Sequence, residues 1–247
     1  VTDELESLAD QICDLFELKV SFCDPDLINF GLENRMIPVG DTFIEVVSPV
    51  QENTAAKRFL KKRNGPSGYM VICDVADIDI EKQRLENSDL KIIWHENRNV
   101  NGIHAQAVHL HPKQIGGAIL SLDSMIPKTA WLWAGLNWED HINKALVENL
   151  TGVVLQSSYP EKLCASWEVA LGKKRSGRVD EFLIELEKSK IKFIKENDTI
   201  EERISAFILS TRRPEVIYKR AEDRGFIRND NIVLGGTKFI LSRTSSN

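Results

Sequence analysis

Four residues in the first half of the chain carry side chains that can move protons or hold a ligand. Glu45 is an isolated carboxylate in the segment DTFIEVV, where it could act as a general base or accept a hydrogen bond. His109 and His111 are two apart, so they share a face of a regular strand and form a possible metal-binding or hydrogen-bonding pair. Ser121 could hydrogen-bond a ligand, but it has no GxSxG context for a nucleophile.

Two neighbouring residues, Asn34 and Arg35, could bind a substrate. The planar guanidinium of Arg35 suits bidentate contact with a carboxylate, and Asn34 can both donate and accept hydrogen bonds. Plainer interpretations remain open: an exposed strand arginine, a Glu45 carboxylate satisfied by a nearby arginine, and a polar turn at His111, which precedes a proline.

Apolar spacing and turn residues predict the elements that position these side chains. Residues 3–16 have helical spacing, DTFIEVV alternates as a strand, and Thr54 with Asn53 can cap a helix that ends before Asn64. From residue 67 the predicted order is β-α-β-β-β. A third unit of the same kind and a shortened fourth unit follow, which indicates an α+β protein built from repeats.

The repeats predict two tandem domains, 1–125 and a reduced 150–247, joined by a Trp-rich linker, 126–149, whose tryptophans pack against a neighbour. The first repeat lacks an opening strand, so we expect that strand just upstream of Val1.

Composition excludes several classes of function. The net charge of −5 and the pI of about 5.7 argue against a nucleic-acid-binding protein. No apolar run approaches the ~20 residues that span a bilayer, and the first residues have no apolar signal core. The four cysteines lack CxxC spacing, which favours reduced thiols in the cytoplasm over a zinc or disulfide framework.

Several motifs resemble the vicinal oxygen chelate superfamily, the glyoxalase-like proteins, and within it methylmalonyl-CoA epimerases. The similarity covers residues 3–123 and is strongest in the motifs IEVVSP, FLKKR, DVADID and LHPKQIGG. It implies tandem βαβββ modules whose curved mixed sheets enclose a cup for a small molecule, and it makes a homodimer possible.

The resemblance also implies a metal site with ligands on the first and last strands of each module. Glu45 occupies one ligand position and would be the metal ligand if an ion binds. Met70, preceded by Tyr69, stands where the family usually has histidine, and Ser121 stands where it has glutamate. A thioether and a hydroxyl are poor ligands for Mn, Fe, Co, Ni or Zn, so we expect no standard metal site.

Three functions follow as hypotheses. The first is an enzyme with an altered site, acting on a small oxo-acid or thioester with Glu45 as base. His109 and Ser121 would complete the catalytic set, and the substrate would contact Arg35, Asn34, Tyr69, Met70 and His111. The second is a metal-dependent isomerase, lyase or dioxygenase. The third is a non-catalytic protein that sequesters a small molecule.

Overall fold

In the computed structural model, which describes residues 1–178, 180–196 and 201–244, the first repeat begins with the predicted helix. This helix, α1, spans Leu5–Phe16 and ends where Glu17 adopts a left-handed conformation (φ 57°). A hairpin of two antiparallel strands follows, β1 (Leu32–Val39) and β2 (Thr42–Pro49). Between the helix and this hairpin, Phe22 forms an isolated bridge to Met36.

Helix α2, Ala55–Arg63, has the predicted capping. The Thr54 hydroxyl accepts a hydrogen bond from the Lys57 amide at 3.0 Å, and Asn64 ends the helix in a left-handed conformation. Between α1 and β1, Pro25–Phe30 forms a 3-10 helix that the sequence patterns did not predict, and Asp24 caps it by accepting from the Asp26 amide.

The second repeat has the predicted βαβββ order. Its first strand pairs in parallel with its last, giving a four-stranded sheet in the order β3-β6-β5-β4. The elements are β3 (Met70–Asp74), α3 (Ile78–Glu86), β4 (Ile92–Val100), β5 (Ile103–Leu110), the short α4 (Pro112–Ile115) and β6 (Ile119–Ile126).

The third and fourth repeats supply an eight-stranded sheet in the order β12-β13-β14-β11-β7-β10-β9-β8. The third repeat comprises β7 (Asn149–Ser157), α5 (Pro160–Leu171), β8 (Arg175–Arg178), β9 (Glu181–Glu185) and β10 (Lys190–Lys195). The fourth comprises β11 (Arg203–Thr211), α6 (Pro214–Asp223), β12 (Ile227–Arg228), β13 (Asn231–Leu234) and β14 (Thr237–Arg243).

These two repeats follow the same strand order as the second one, with the first strand beside the last. The sequence analysis missed β8, β12 and β13, because they have only 4, 2 and 4 residues and too few positions for an alternating pattern. Among the described helices, none is long and apolar enough to cross a membrane.

The chain divides into two units that each combine distant segments. The first unit contains residues 1–68, 133–152 and 206–247, and the second contains 69–132 and 153–205. These units do not coincide with the consecutive segments 1–125 and 150–247, whose assignment as separate domains stays a prediction. In the first unit, Trp138 from the Trp-rich segment packs edge-on against Phe43, with ring centroids 4.9 Å apart.

The core of the first unit forms around α1. The apolar side of this helix contacts one face of the β1–β2 hairpin, including Ile37 and Val46, and also packs against strands of the fourth repeat. Phe16 is fully buried, and its ring centroid lies 5.2 Å from that of Phe239.

We expect Phe16→Ala to lower the free energy of unfolding by about 3–5 kcal/mol, because it removes a buried ring and leaves a cavity. Asp10→Ala, at an exposed position of the same helix, should change it by less than about 0.5 kcal/mol. Urea denaturation followed by circular dichroism measures both, and equal effects would contradict this description of the core.

Candidate functional site

The β1–β2 hairpin places Asn34 and Glu45 on one face and apolar side chains on the other. Met36 is paired directly with Glu45, so the side chains of Asn34, Met36 and Glu45 project from the face that α1 does not cover. The Asn34 amide donates from Nδ2 to Glu45 Oε1 at 2.6 Å, and its Oδ1 accepts from the Asp24 main-chain N–H at 2.8 Å.

The environment of Glu45 favours its neutral form. Burial raises the pKa of the Glu45 carboxyl, the hydrogen bond from Asn34 opposes that rise, and the negative charge of Asp24 adds to it. A carboxyl with a raised pKa is better suited to exchange protons near neutral pH than an ordinary glutamate.

Arg35 lies on the opposite face of β1 from Asn34 and Glu45. Its guanidinium forms an ion pair with Glu6 of α1 and donates to the Asn34 main-chain oxygen at 2.6 Å. The hairpin therefore places Arg35 on the face opposite Asn34, which was predicted to bind the substrate with it, and opposite Glu45, the predicted base.

In the second unit, a row of side chains crosses all four strands of the sheet. Trp94 is paired with His109, His109 with Ser121, and Ser121 with Ile72, so the four share one face. The rings of Trp94 and His109 have centroids 4.3 Å apart and are tilted by 36°. Met70 lies on the same face at the start of β3, and Tyr69 precedes that strand.

Ser121 is almost fully buried and donates a hydrogen bond to the carboxylate of Asp123, which is also buried. The sequence analysis did not select Asp123 or Trp94. Asp123 had a usable signal, since it lies two residues after Ser121 and must share its face in a strand. Trp94 had none, because only the register of β4 against β5 brings it to His109.

The two histidines have different surroundings. Burial lowers the pKa of His109 to about 4, so its imidazole is neutral at physiological pH. His111 caps the short helix α4, where its Nδ1 accepts from the Lys113 amide at 3.2 Å. The capping contact matches the polar-turn interpretation of His111, and the two side chains do not form a metal-binding pair on one strand.

The residues at the predicted ligand positions do not fit a divalent metal. Of the residues at these positions, Met70 offers only a thioether, which is a poor ligand for such ions. The Ser121 hydroxyl is already bonded to Asp123. Throughout the part of the chain that the structure describes, no three His, Cys, Asp or Glu side chains are grouped closely enough to hold an ion.

Two surface grooves lie away from these residues. One, of about 510 Å³, is lined at the start of α5 by residues that include Tyr159, Glu161 and Arg175. The other, of about 420 Å³, lies between α1 and the end of α6, beside Asp10 and Arg224. Neither groove contains a residue that the sequence analysis selected.

No protein-family model and no curated protein matches the sequence. Solved structures do match. A hypothetical protein from Staphylococcus aureus is 10% identical with a TM-score of 0.63, over 94% of this chain and 91% of that one. A mutant of 4-hydroxymandelate synthase from Streptomyces coelicolor is 12% identical with a TM-score of 0.66, over 91% and 73%.

The chain has the glyoxalase-like fold. Both the synthase and methylmalonyl-CoA epimerase are vicinal oxygen chelate proteins. The epimerase from Mycobacterium tuberculosis matches 50% of this chain and 81% of its own, with 21% identity and a TM-score of 0.44. The strand orders of the structure and the likeness to the synthase confirm the predicted α+β architecture of βαβββ modules, and at 12% identity that likeness establishes the fold alone.

In this glyoxalase-like fold, we expect Asn34→Ala to raise the pKa of Glu45 further, because the hydrogen bond from Asn34 stabilises the charged carboxylate. Titration of the Glu45 side-chain carbon by NMR with 13C-labelled glutamate measures this. Arg35→Ala is the matched control, since it changes the adjacent residue on the opposite face and should leave that pKa nearly unchanged. A lower pKa in Asn34→Ala would refute the assignment.

The depressed pKa of His109 predicts acid sensitivity. His109 takes up its proton near pH 6.5 in the unfolded chain but only near pH 4 in the folded chain. The contribution of neutral His109 to the free energy of unfolding is therefore fully present above pH 6.5 and is lost as the pH falls toward 4. Allowing for partial exposure, we expect a loss of about 1–3 kcal/mol. His109→Gln should remove this component from urea denaturation curves measured across the same range, and an unchanged pH dependence would contradict it.

Proposed function

We propose that this protein binds a small metabolite, such as an oxo-acid or a thioester, in a sheet-lined cup without a divalent metal, and that Glu45 exchanges a proton with it. The observation that carries the proposal is the hydrogen bond from Asn34 to Glu45 on the face of β1–β2 that α1 leaves uncovered.

The geometry around Glu45 supports a role in proton transfer. The Asp24 main-chain N–H fixes the orientation of the Asn34 amide, so that its NH2 group faces the carboxyl. With Oε1 held by Asn34, Oε2 takes or gives the proton. A base of this kind can remove a proton next to a carbonyl group and return it, which is the reaction type we assign.

The polar face in the second unit supports ligand binding of a different kind. Neutral His109 can hydrogen-bond a ligand, and the Ser121 hydroxyl, whose proton is donated to Asp123, keeps its capacity to accept, with Met70 and Tyr69 beside them at β3. In this proposal these residues position a ligand within the second unit and take no part in the chemistry at Glu45. The four free cysteines support a cytoplasmic location.

Exchange of deuterium from solvent into small oxo-acids and thioesters tests the proposal directly. NMR would follow loss of the proton next to the carbonyl group, and thermal shift would follow binding of the same compounds. Glu45→Gln should keep binding and lower the exchange rate by about 100-fold or more. Glu33→Gln, an exposed carboxylate on the opposite face of β1, is the control and should keep full exchange.

Two outcomes would overturn this function. Undiminished exchange in Glu45→Gln would exclude Glu45 as the proton carrier. Binding with no exchange in the unaltered protein would favour a protein that sequesters its ligand.

Metal content tests the alternative of a metal-dependent isomerase, lyase or dioxygenase. After incubation with Mn, Fe, Co, Ni and Zn, and removal of loosely bound ions, we expect far less than one ion per chain, because a thioether and a hydroxyl bind such ions weakly. Mass spectrometry of the metals in untagged protein measures this. A stoichiometric ion that is lost in Glu45→Ala would establish the metal-dependent alternative instead.

A further inference from the structure

Strand β4 is one of the two edges of the four-stranded sheet. It lies last in the order β3-β6-β5-β4, and it is nine residues long. Edge strands commonly carry charged side chains, especially lysine, or proline to prevent pairing with another chain. The β4 sequence IIWHENRNV has no lysine or proline, and its two charges, Glu96 and Arg98, are of opposite sign. Ile93 and Val100 are 52% and 40% exposed. This edge has the features of a strand that pairs with a partner.

The hairpin between β4 and β5 determines which main-chain groups point outward. Its turn has positive φ at Asn101 (51°) and Gly102 (80°), as in a two-residue type I′ turn, so Val100 and Ile103 form a hydrogen-bonded pair. Hydrogen-bonded pairs alternate along an antiparallel ladder, so residues 96, 98 and 100 direct their main-chain groups toward β5. The main-chain groups of residues 95, 97 and 99 therefore face away from β5.

A local contact supports this assignment. The Asn97 amide donates at 3.0 Å to the side chain of Glu96 and not to β5.

We propose that β4 pairs with β4 of a second copy of this chain, antiparallel and about a two-fold axis at Asn97. Because the main-chain groups of residues 95, 97 and 99 point outward in both copies, an antiparallel pairing must place odd-numbered residues of one copy opposite odd-numbered residues of the other. Centring the axis on Glu96 or Arg98 would place like charges opposite each other. Centring it on Asn97 places Glu96 opposite Arg98 of the partner subunit, and Arg98 opposite Glu96 of the partner subunit.

The same register also provides main-chain hydrogen bonds and an apolar contact at the other positions of β4. Residues 95, 97 and 99 pair with 99, 97 and 95 of the second copy, which gives about six main-chain hydrogen bonds. Trp94 lies opposite Val100 of the partner subunit, which covers exposed apolar surface. The Glu96–Arg98 ion pair within the strand, at 3.3 Å, is exchanged for two pairs between strands. Because one strand edge buries less than the ~1,600 Å² of a standard interface, we expect a dimer that dissociates on dilution.

Charge reversal tests the register in the full-length chain by sedimentation equilibrium at several concentrations. Glu96→Lys and Arg98→Glu should each weaken self-association by roughly tenfold or more, because each places like charges opposite each other. Mixing the two variants should restore a one-to-one complex. The lysine introduced at position 96 and Arg98 of one variant then face the two glutamates, at positions 98 and 96, of the other. Glu215→Lys, which disrupts an exposed ion pair with Arg243 elsewhere, should associate like the unaltered chain.

Disulfide cross-linking tests the axis independently of charge. In a Cys23→Ser background, Asn97→Cys places two thiols on the axis, where Cα atoms are about 5.5 Å apart and a disulfide can form. Asn99→Cys, which faces His95 of the partner subunit, should cross-link far less.

A monomer at all concentrations, two charge variants that fail to associate when mixed, or equal cross-linking at 97 and 99 would each overturn the proposal.

Discussion

The packing of α1 against one face of the β1–β2 hairpin is the constraint on which the candidate site in the first unit depends. Because side chains alternate along a strand, burying Ile37 and Val46 beneath the helix forces Asn34 and Glu45 to the other face. Arg35 is carried to the helix side by the same alternation, where Glu6 meets it. A shift of the hairpin by one residue would turn Asn34 and Glu45 toward α1 and the apolar side chains to the other face.

Desolvation then gives the buried titratable groups their properties. It raises the pKa of Glu45 and lowers that of His109, and in both cases the neutral form is favoured. The hydrogen bond from Asn34 partly opposes this effect at Glu45, because it stabilises the charged carboxylate. The raised pKa of Glu45 is the property on which its proposed role in proton exchange rests.

The repeated βαβββ pattern explains why the architecture was predictable while the grouping of site residues was not. The second, third and fourth repeats each place their first strand beside their last, an arrangement set by short connections between consecutive elements. The units, however, join the first repeat to the fourth and the second to the third. Glu45 and Ser121, assigned by sequence to one cup, therefore belong to different units.

The sequence by itself determined the helices, most of the strands, the βαβββ order and the unusual types at the family's ligand positions. These features depend on local periodicity, capping residues and motifs, which are written in consecutive residues. Only the tertiary structure decided that Arg35 faces α1, that Trp94 stacks on His109, and that Glu45 and Ser121 belong to different units. Those outcomes depend on strand register and on the pairing of distant repeats, which no local pattern specifies.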